Sequence, residues 1–262
     1  LLMVELENKY KIGIRRFGLI NWVGAFSLYK KEVLRFIIVS GQTLLGPILT
    51  SILFLIVISL AIGDERSDVL GVPYIEFLAN GLIMMQVIQQ SFSHSSSSLM
   101  MSKMMGTIVD IVNSPLSAAE VTISLVLASI TRGLCIAFIS TFIFVLFLDL
   151  SIQSYFLWFL YLFLAGFFLG AAGIIAGLYA DKFDQMATVT NFVIVPLSFL
   201  SGTFYSIEKL PDILQNLSYY NPFFHMIDGF RYSFINNMDG SIKFGLIYLI
   251  FLSILTWFIG YK

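Results

Sequence analysis

The chain has 262 residues and a formal net charge of -1; it is 58% hydrophobic, only 12% charged, and has a mean hydropathy of +0.89. An ordinary globular domain carries roughly 25% charged residues, so this composition excludes a soluble domain and predicts a polytopic membrane protein. The near-neutral charge excludes a global basic field for nucleic acid, and a single cysteine, Cys135, excludes intrachain disulfides and multi-cysteine metal sites.

The opening LLMVELENKYKIG is polar and mixed in charge, without the apolar core of a secretory signal, so no cleavage for export is expected. An amphipathic interfacial helix follows over 15–36. Trp22, Phe26, Tyr29, Val33 and Phe36 lie on one stripe, with Lys30, Lys31 and Arg35 off it. Such a helix lies in the interface plane, its cations near anionic head groups. The alternative is a cytoplasmic extension of the first span; the two differ in a bend near Ser40-Gly41.

A spanning helix needs about 20 mainly apolar residues. Six segments meet that expectation, at 37–62, 74–96, 121–148, 154–179, 187–205 and 242–261, which predicts an all-α fold. With the N-terminus in the cytoplasm, Lys9, Lys11, Arg15, Arg16, Lys30, Lys31, Arg35, Lys103, Lys182 and Lys262 fall inside. Arg66, Lys209, Arg231 and Lys243 fall outside. The excess inside predicts cytoplasmic N- and C-termini. Arg132 lies within the third apolar run. The expectation is that it snorkels to the interface; the alternative is a charge facing a polar pathway.

In the second span Gln86, Gln90, Ser93 and Ser97 share a face, and in the fifth Thr188, Asn191, Ser198, Gly202 and Tyr205 do the same. Such faces avoid lipid, by bonding other helices or by lining a route for substrate. In the fourth, Gly166, Gly170, Gly173 and Gly177 form small-xxx-small pairs suited to close packing.

Between the second and third spans, residues 104–120 form a long polar interruption. Ile108, Ile111 and Val112 share a helical face there, and Pro115 suits the first turn of a new helix capped by Asn113 or Ser114. A short helix-turn-helix that transmits force is expected, against an ordinary interhelical loop. Residues 206–240 are too broken to span, with Pro211, Pro222 and many aromatics. A short amphipathic helix that dips into the outer leaflet and returns is expected.

No Gly-Lys dipeptide occurs, so no phosphate-cradling G-x-x-x-x-G-K-[ST] loop exists and the chain is not its own conventional ATPase. Energy must come from a partner or a gradient. An ion-coupled secondary carrier is the alternative, but carriers keep carboxylates or His near the midplane, and no Asp or Glu falls near the middle of an assigned span. An intramembrane enzyme would need a base and an orienting partner. His94 among serines supplies neither, and His94 and His225 make no metal site.

The order of Gly106-Thr107, Asn113-Ser114-Pro115-Leu116, Gly202-Thr203-Phe204-Tyr205, Leu210-Pro211, Asn221-Pro222 and Gly229-Phe230-Arg231-Tyr232 resembles the type-2 permease family of ATP-binding-cassette (ABC) transporters. The resemblance covers nearly the whole chain. It implies a transport permease that pairs with a second copy, most simply as a homodimer, sits among membrane lipids of the cytoplasmic membrane, and binds no cofactor itself. ATP and Mg would be held by cytoplasmic ABC ATPase subunits. The likeness also implies that residues 104–120 seat in the ATPase as a coupling element, with Gly106, Thr107, Asp110, Asn113, Ser114, Pro115, Leu116, Ser117 and Glu120 making the contact. Residues 206–235 would close the exit, with Pro211, Asn221, Pro222 and Arg231 at the outer gate. Gln86, Gln90, Ser93, Asn191, Ser198, Gly202 and Tyr205 would line the path of an exported amphipathic, lipid-like, glycan or drug-like cargo. Members often carry an acidic residue two before the Gly-Thr; Met104 stands there in this chain, so Asp110 and Glu120 are the anionic contacts expected.

Overall fold

The computed structural model describes residues 20–62, 68–148 and 150–261; the expectations for Lys9, Lys11, Arg15, Arg16, Arg66 and Lys262 lie outside them. The described chain is helical, its one β-type pairing being an isolated bridge between Val69 and Val72. Its helices are α1 (Trp22–Ile38), α2 (Gly46–Ile62), α3 (Tyr74–Met104), α4 (Ile108–Asn113), α5 (Ala118–Phe147), α6 (Tyr155–Tyr179), α7 (Phe183–Val189), α8 (Val195–Phe199), α9 (Asp212–Tyr220), α10 (Pro222–Ile235) and α11 (Ile242–Tyr261). A π turn at Gly41–Leu45 leads into α2, and another at Thr190–Ile194 joins α7 to α8.

Among the described residues, four helical stretches are long and apolar enough to cross a membrane: Gly41–Ala61, Ala118–Phe147, Tyr155–Tyr179 and Ile242–Tyr261. Two of the six expected spans fall short of that standard. Helix α3 is long enough, at 31 residues or about 46 Å, but from residue 86 onward it carries Gln86, Gln89, Gln90, His94 and a run of serines. The expected helix over 187–205 is instead α7, a π turn and α8, and it stops at Phe199. Pro196 has no N–H to bond the carbonyl four residues back, and the π turn lies immediately before α8.

Helices α3, α5 and α6 form the centre, with α1 on α5, α2 on α3, α11 on α6, and α10 against both α3 and α6. In lipid, burial of apolar surface does little to hold helices together, so close packing must. The α6 glycines permit it: Gly166 and Gly170 meet Ile130 and Ser129 of α5, while Gly173 and Gly177 meet Phe92, Ser95, Ser96 and Leu99 of α3. A Cβ on Gly173 would stand 2.5 Å from the Phe92 carbonyl oxygen. Outward-facing positions such as Leu53, Leu60, Phe138, Phe142, Phe147, Ile247 and Phe251 are exposed and apolar, as lipid contact requires.

The two ends of the bundle are distinct. At one end lie α4, the start of α5, and the last turns of α3, α6 and α11; Lys103 donates to the carbonyls of Leu178 and Ala180 and so caps α6 from α3. At the other end lie α9, α10 and the turns at 68–73 and 200–206. Tyr74 Oη donates to the Phe204 carbonyl there (3.0 Å), and the Gln153 N–H to that of Ser233 (2.8 Å).

Helix α1 departs from the expected stripe. Its protein-facing residues are Leu28, Glu32 and Phe36, one turn apart, whereas Trp22 and Phe26 are exposed. A buried carboxylate therefore occupies the middle of the docking face.

Candidate functional site

The α4 end is built by capping chemistry. Gly106 takes φ +73°, a left-handed conformation that glycine adopts without strain, and breaks α3 from α4. Helix α5 begins at Ala118, capped by Ser117 in a capping box with Glu120. The expected start is thus corrected: Pro115 lies in the connection rather than the first turn, and neither Asn113 nor Ser114 caps α5. Ser117-Ala-Ala-Glu120 was the sequence signal for the true start.

Glu120 does more than cap. Its Oε2 accepts from the Ser117 N–H (2.6 Å) and its Oε1 from the Asn21 N–H (2.6 Å). Asn21 in turn caps α1 by accepting from the Gly24 N–H (3.0 Å), and its Nδ2 donates to the Pro115 carbonyl (3.2 Å). Ser124 Oγ adds a bond to the Ala25 carbonyl (3.0 Å). The start of α1, the 114–117 connection and the start of α5 are one hydrogen-bonded unit. Glu120 is buried in it, so of the two carboxylates expected to face a partner only Asp110 stands at the surface.

Ile108 and Ile111 turn inward over an apolar cavity of about 360 Å³ whose walls include Leu99, Leu125, Ile174 and Leu178. Val112, expected on the same face, is 75% exposed at the rim, and with Met104, Met105 and Val109 it forms a protruding apolar tip. Gly106, Thr107, Asn113 and Pro115 are exposed around it; Ser114, Leu116 and Ser117 are half-buried.

Deeper in the bundle is a polar layer that the sequence reading missed in part. Glu32 Oε2 lies 3.0 Å from Arg35 Nε and accepts from Ser98 Oγ at 2.7 Å. Arg35 also donates to the His94 carbonyl (3.1 Å), and His94 Nε2 lies 3.9 Å from Glu32, beyond hydrogen-bond reach. Glu32 and His94 are at most 1% exposed. Arg132 sits beside this layer, donating to Gln90 Oε1 and to the Thr43 carbonyl (3.3 Å) in the first π turn. It is 7% exposed, so the expectation that it snorkels is corrected: the guanidinium turns into the bundle.

The expected pathway residues are not brought together within one chain. Gln86 is buried, Gln90 is held by Arg132, and Ser93 is half-buried on α3. Asn191 is exposed in the second π turn, while Ser198 is buried and donates back to the Ile194 carbonyl (2.6 Å). The π turn shifts the helical register between them, so the five residues expected on one face of the fifth span do not share one. Gly202 is buried with φ +72°, and Tyr205 is half-buried beyond the end of α8.

At the opposite end, Arg231, expected at the outer gate, is a buried side chain. It is 1% exposed, donates to the Gly202 carbonyl (2.8 Å), and lies 3.7 Å from the Phe77 ring centroid. Asn221 caps α10 through the Phe223 N–H (3.0 Å) with Pro222 in the first turn, and its Nδ2 donates to Ser201 Oγ (2.7 Å). Pro211 opens α9, whose Ile213, Leu217 and Tyr220 are exposed. Asp228 accepts from the Asp239 and Gly240 N–H groups; burial pushes its carboxyl up to about 6, against the pull of Arg231.

Comparison with known proteins shows the family of the chain. The family described as ABC-2 type transporter matches residues 24–235. The inner membrane transport permease YadH of Escherichia coli (strain K12) is 32% identical over 240 residues, covering 90% of this chain and 94% of that protein. Nodulation protein J of Neorhizobium galegae is 23% identical over 260 residues, covering 93% and 92%. The chain belongs to the ABC-2 type transporter family and is a multi-pass membrane permease.

Proposed function

We propose that the chain is one half of an ABC exporter of the cytoplasmic (inner) membrane, working as a homodimer with its N- and C-termini in the cytoplasm. Cytoplasmic ATPase subunits hold ATP and Mg, and this chain binds neither. The observation that carries the reading is the α4 tip: Met104, Met105, Val109 and Val112 project as an unpartnered apolar surface. Their flank is tied rigidly to α1 and α5 through Glu120, Asn21 and Pro115. A surface of that kind suits docking to a protein and passing its motion to the bundle; a solvated loop needs neither feature.

In this reading Gly106, Thr107, Asp110, Asn113 and Pro115 ring the contact. Ser114, Leu116, Ser117 and Glu120 hold its shape. Cargo of amphipathic, lipid-like, glycan or drug-like character crosses between two copies, past Gln86, Gln90 and Ser93 of one helix and Asn191, Ser198, Gly202 and Tyr205 of the fifth segment. Release passes the element bearing Pro211, Asn221, Pro222 and Arg231. Helix α1, with Lys30 and Lys31 exposed, rests against anionic lipid.

The test is an affinity pull-down of the detergent-solubilised chain from its native membrane, with and without residues 113–117 replaced by Gly and Ser. An ATPase that co-purifies and is lost with the replacement supports the reading. Absence of an ATPase under gentle extraction contradicts it and brings an ion-coupled carrier forward.

A further inference from the structure

Arg132 differs from the other arginines among the described residues. Arg35 is paired with Glu32, and Arg231 stands over the Phe77 ring with the Asp228 charge acting on it. Among the described residues no carboxylate pairs with Arg132. Its contacts are two neutral oxygens, Gln90 Oε1 and the Thr43 carbonyl, and its buried Nε has no partner.

Its depth is set by two helices. Gln90 lies fourteen residues from the Met104 end of α3, and Arg132 fourteen from the Ala118 end of α5; each is about 21 Å in from the α4 end at 1.5 Å per residue. A cation at that depth is costly without a counter-ion, and intramembrane charges of this kind mark substrate paths. The Thr43 carbonyl that covers it belongs to the Gly41–Leu45 π turn, and π turns inside helices are frequent at functional sites.

We propose that Arg132, with Gln90 beside it, is the recognition point for the anionic head group of an amphiphilic cargo. The assignment rests on the exporter reading above and narrows its cargo to anionic amphiphiles. A phosphate or carboxylate oxygen replaces the Gln90 and Thr43 oxygens on the guanidinium and takes up the free Nε–H, so the cargo supplies the charge the protein lacks. Arginine suits this task because its planar fork bonds such groups in pairs. In the conformation described here the guanidinium is covered, so access requires α2 to swing away at its π turn.

The experiment uses the permease purified with its ATPase in phosphatidylcholine nanodiscs, titrated calorimetrically with three amphiphiles of one acyl chain: oleoyl lysophosphatidic acid, oleate and oleoyl lysophosphatidylcholine. The expected result is that one or both anionic probes bind at least about tenfold tighter than the zwitterion, as a charge-assisted pair warrants; which of the two does so separates phosphate from carboxylate recognition. Arg132→Gln should erase the preference, and Lys30→Gln, at the surface of α1, should not. Gln90→Glu places a carboxylate against Arg132 and should abolish anion binding while raising the thermal midpoint. It decides the matter even if Arg132→Gln fails to fold. Equal binding of all three probes, or an anion preference that survives Gln90→Glu, overturns the assignment. If the ATPase is present and the preference is absent, only the cargo class fails; if no ATPase accompanies the chain, the exporter reading fails.

Discussion

The Glu120 carboxylate accepts from the Asn21 N–H and from the Ser117 N–H, each at 2.6 Å, so the first turns of α1 and α5 share one buried anion. Residues 99 positions apart are thereby held in register. Glu120→Gln keeps the shape but supplies one acceptor oxygen where two are used. The expected cost is about 1–2 kcal/mol, read as a lower thermal midpoint, together with weakened coupling between cargo and ATP hydrolysis. An unchanged midpoint and unchanged cargo-stimulated hydrolysis would show that the shared anion is dispensable.

Glu32→Ala removes the carboxylate between Arg35 and Ser98 and leaves the partly buried Arg35 guanidinium without its anion. Breaking one partner of a buried pair costs about 3–5 kcal/mol; the lower end applies because the Arg35 side chain is one-third exposed. The detached partner is α1, so limited proteolysis within Trp22–Ile38 should accelerate while the α3, α5 and α6 core resists. Uniform destabilisation of the whole bundle would contradict the placement of Glu32 as the α1 anchor.

Close approach of α6 to α3 predicts a steric limit. Gly173→Leu would drive a side chain into the Phe92 carbonyl and Ser95, and forced overpacking costs about 1–3 kcal/mol or more. Size-exclusion profiles in mild detergent should broaden or shift to aggregate. Leu at the exposed Phe251 position should leave them unchanged.

Arg231→Lys tests the opposite end. A lysine cannot stack over Phe77 and bond the Gly202 carbonyl with the same rigid fork, so the 200–206 turn keeps the Tyr74 bond to Phe204 but loses its other tie to α3. Hydrogen exchange at the Gly202 to Tyr205 amides should quicken, with a loss of about 2 kcal/mol in stability. Protection equal to the parent chain would mean that the remaining bonds, from Tyr74 to Phe204 and from Asn221 to Ser201 among them, hold the turn without Arg231.

Much of the helical plan was legible because lipid-facing helices must be apolar over most of their length, and α2, α5, α6 and α11 are. The stop before Gly106 was not read: the second span was expected to end at residue 96, whereas α3 runs on to Met104. Helix α3 and the fifth segment were read as spans with polar faces that avoid lipid, but how far those side chains and Pro196 set them apart from the other spans was not. The α5 cap was present as Ser117-x-x-Glu120 and was overshadowed by Pro115. The polar layer was not legible: Glu32 looks like one charge on an amphipathic helix until α1 is docked, and only then does it meet Ser98 and His94. Arg132 showed its anomaly in the sequence, but the choice between interface and interior depended on where Gln90 and the Thr43 carbonyl stand.

The central claim is that the α4 tip seats in an ATPase, and site-directed crosslinking tests it most directly. With Cys135 replaced by Ser, single cysteines are placed at Val112, on the tip, and at Phe147, 80% exposed at the far end of α5. A photoactivatable thiol reagent is then attached in native membranes. The account predicts that Val112→Cys captures an ATPase subunit and Phe147→Cys does not. Capture from position 147, or from neither position while the ATPase still co-purifies, would contradict it.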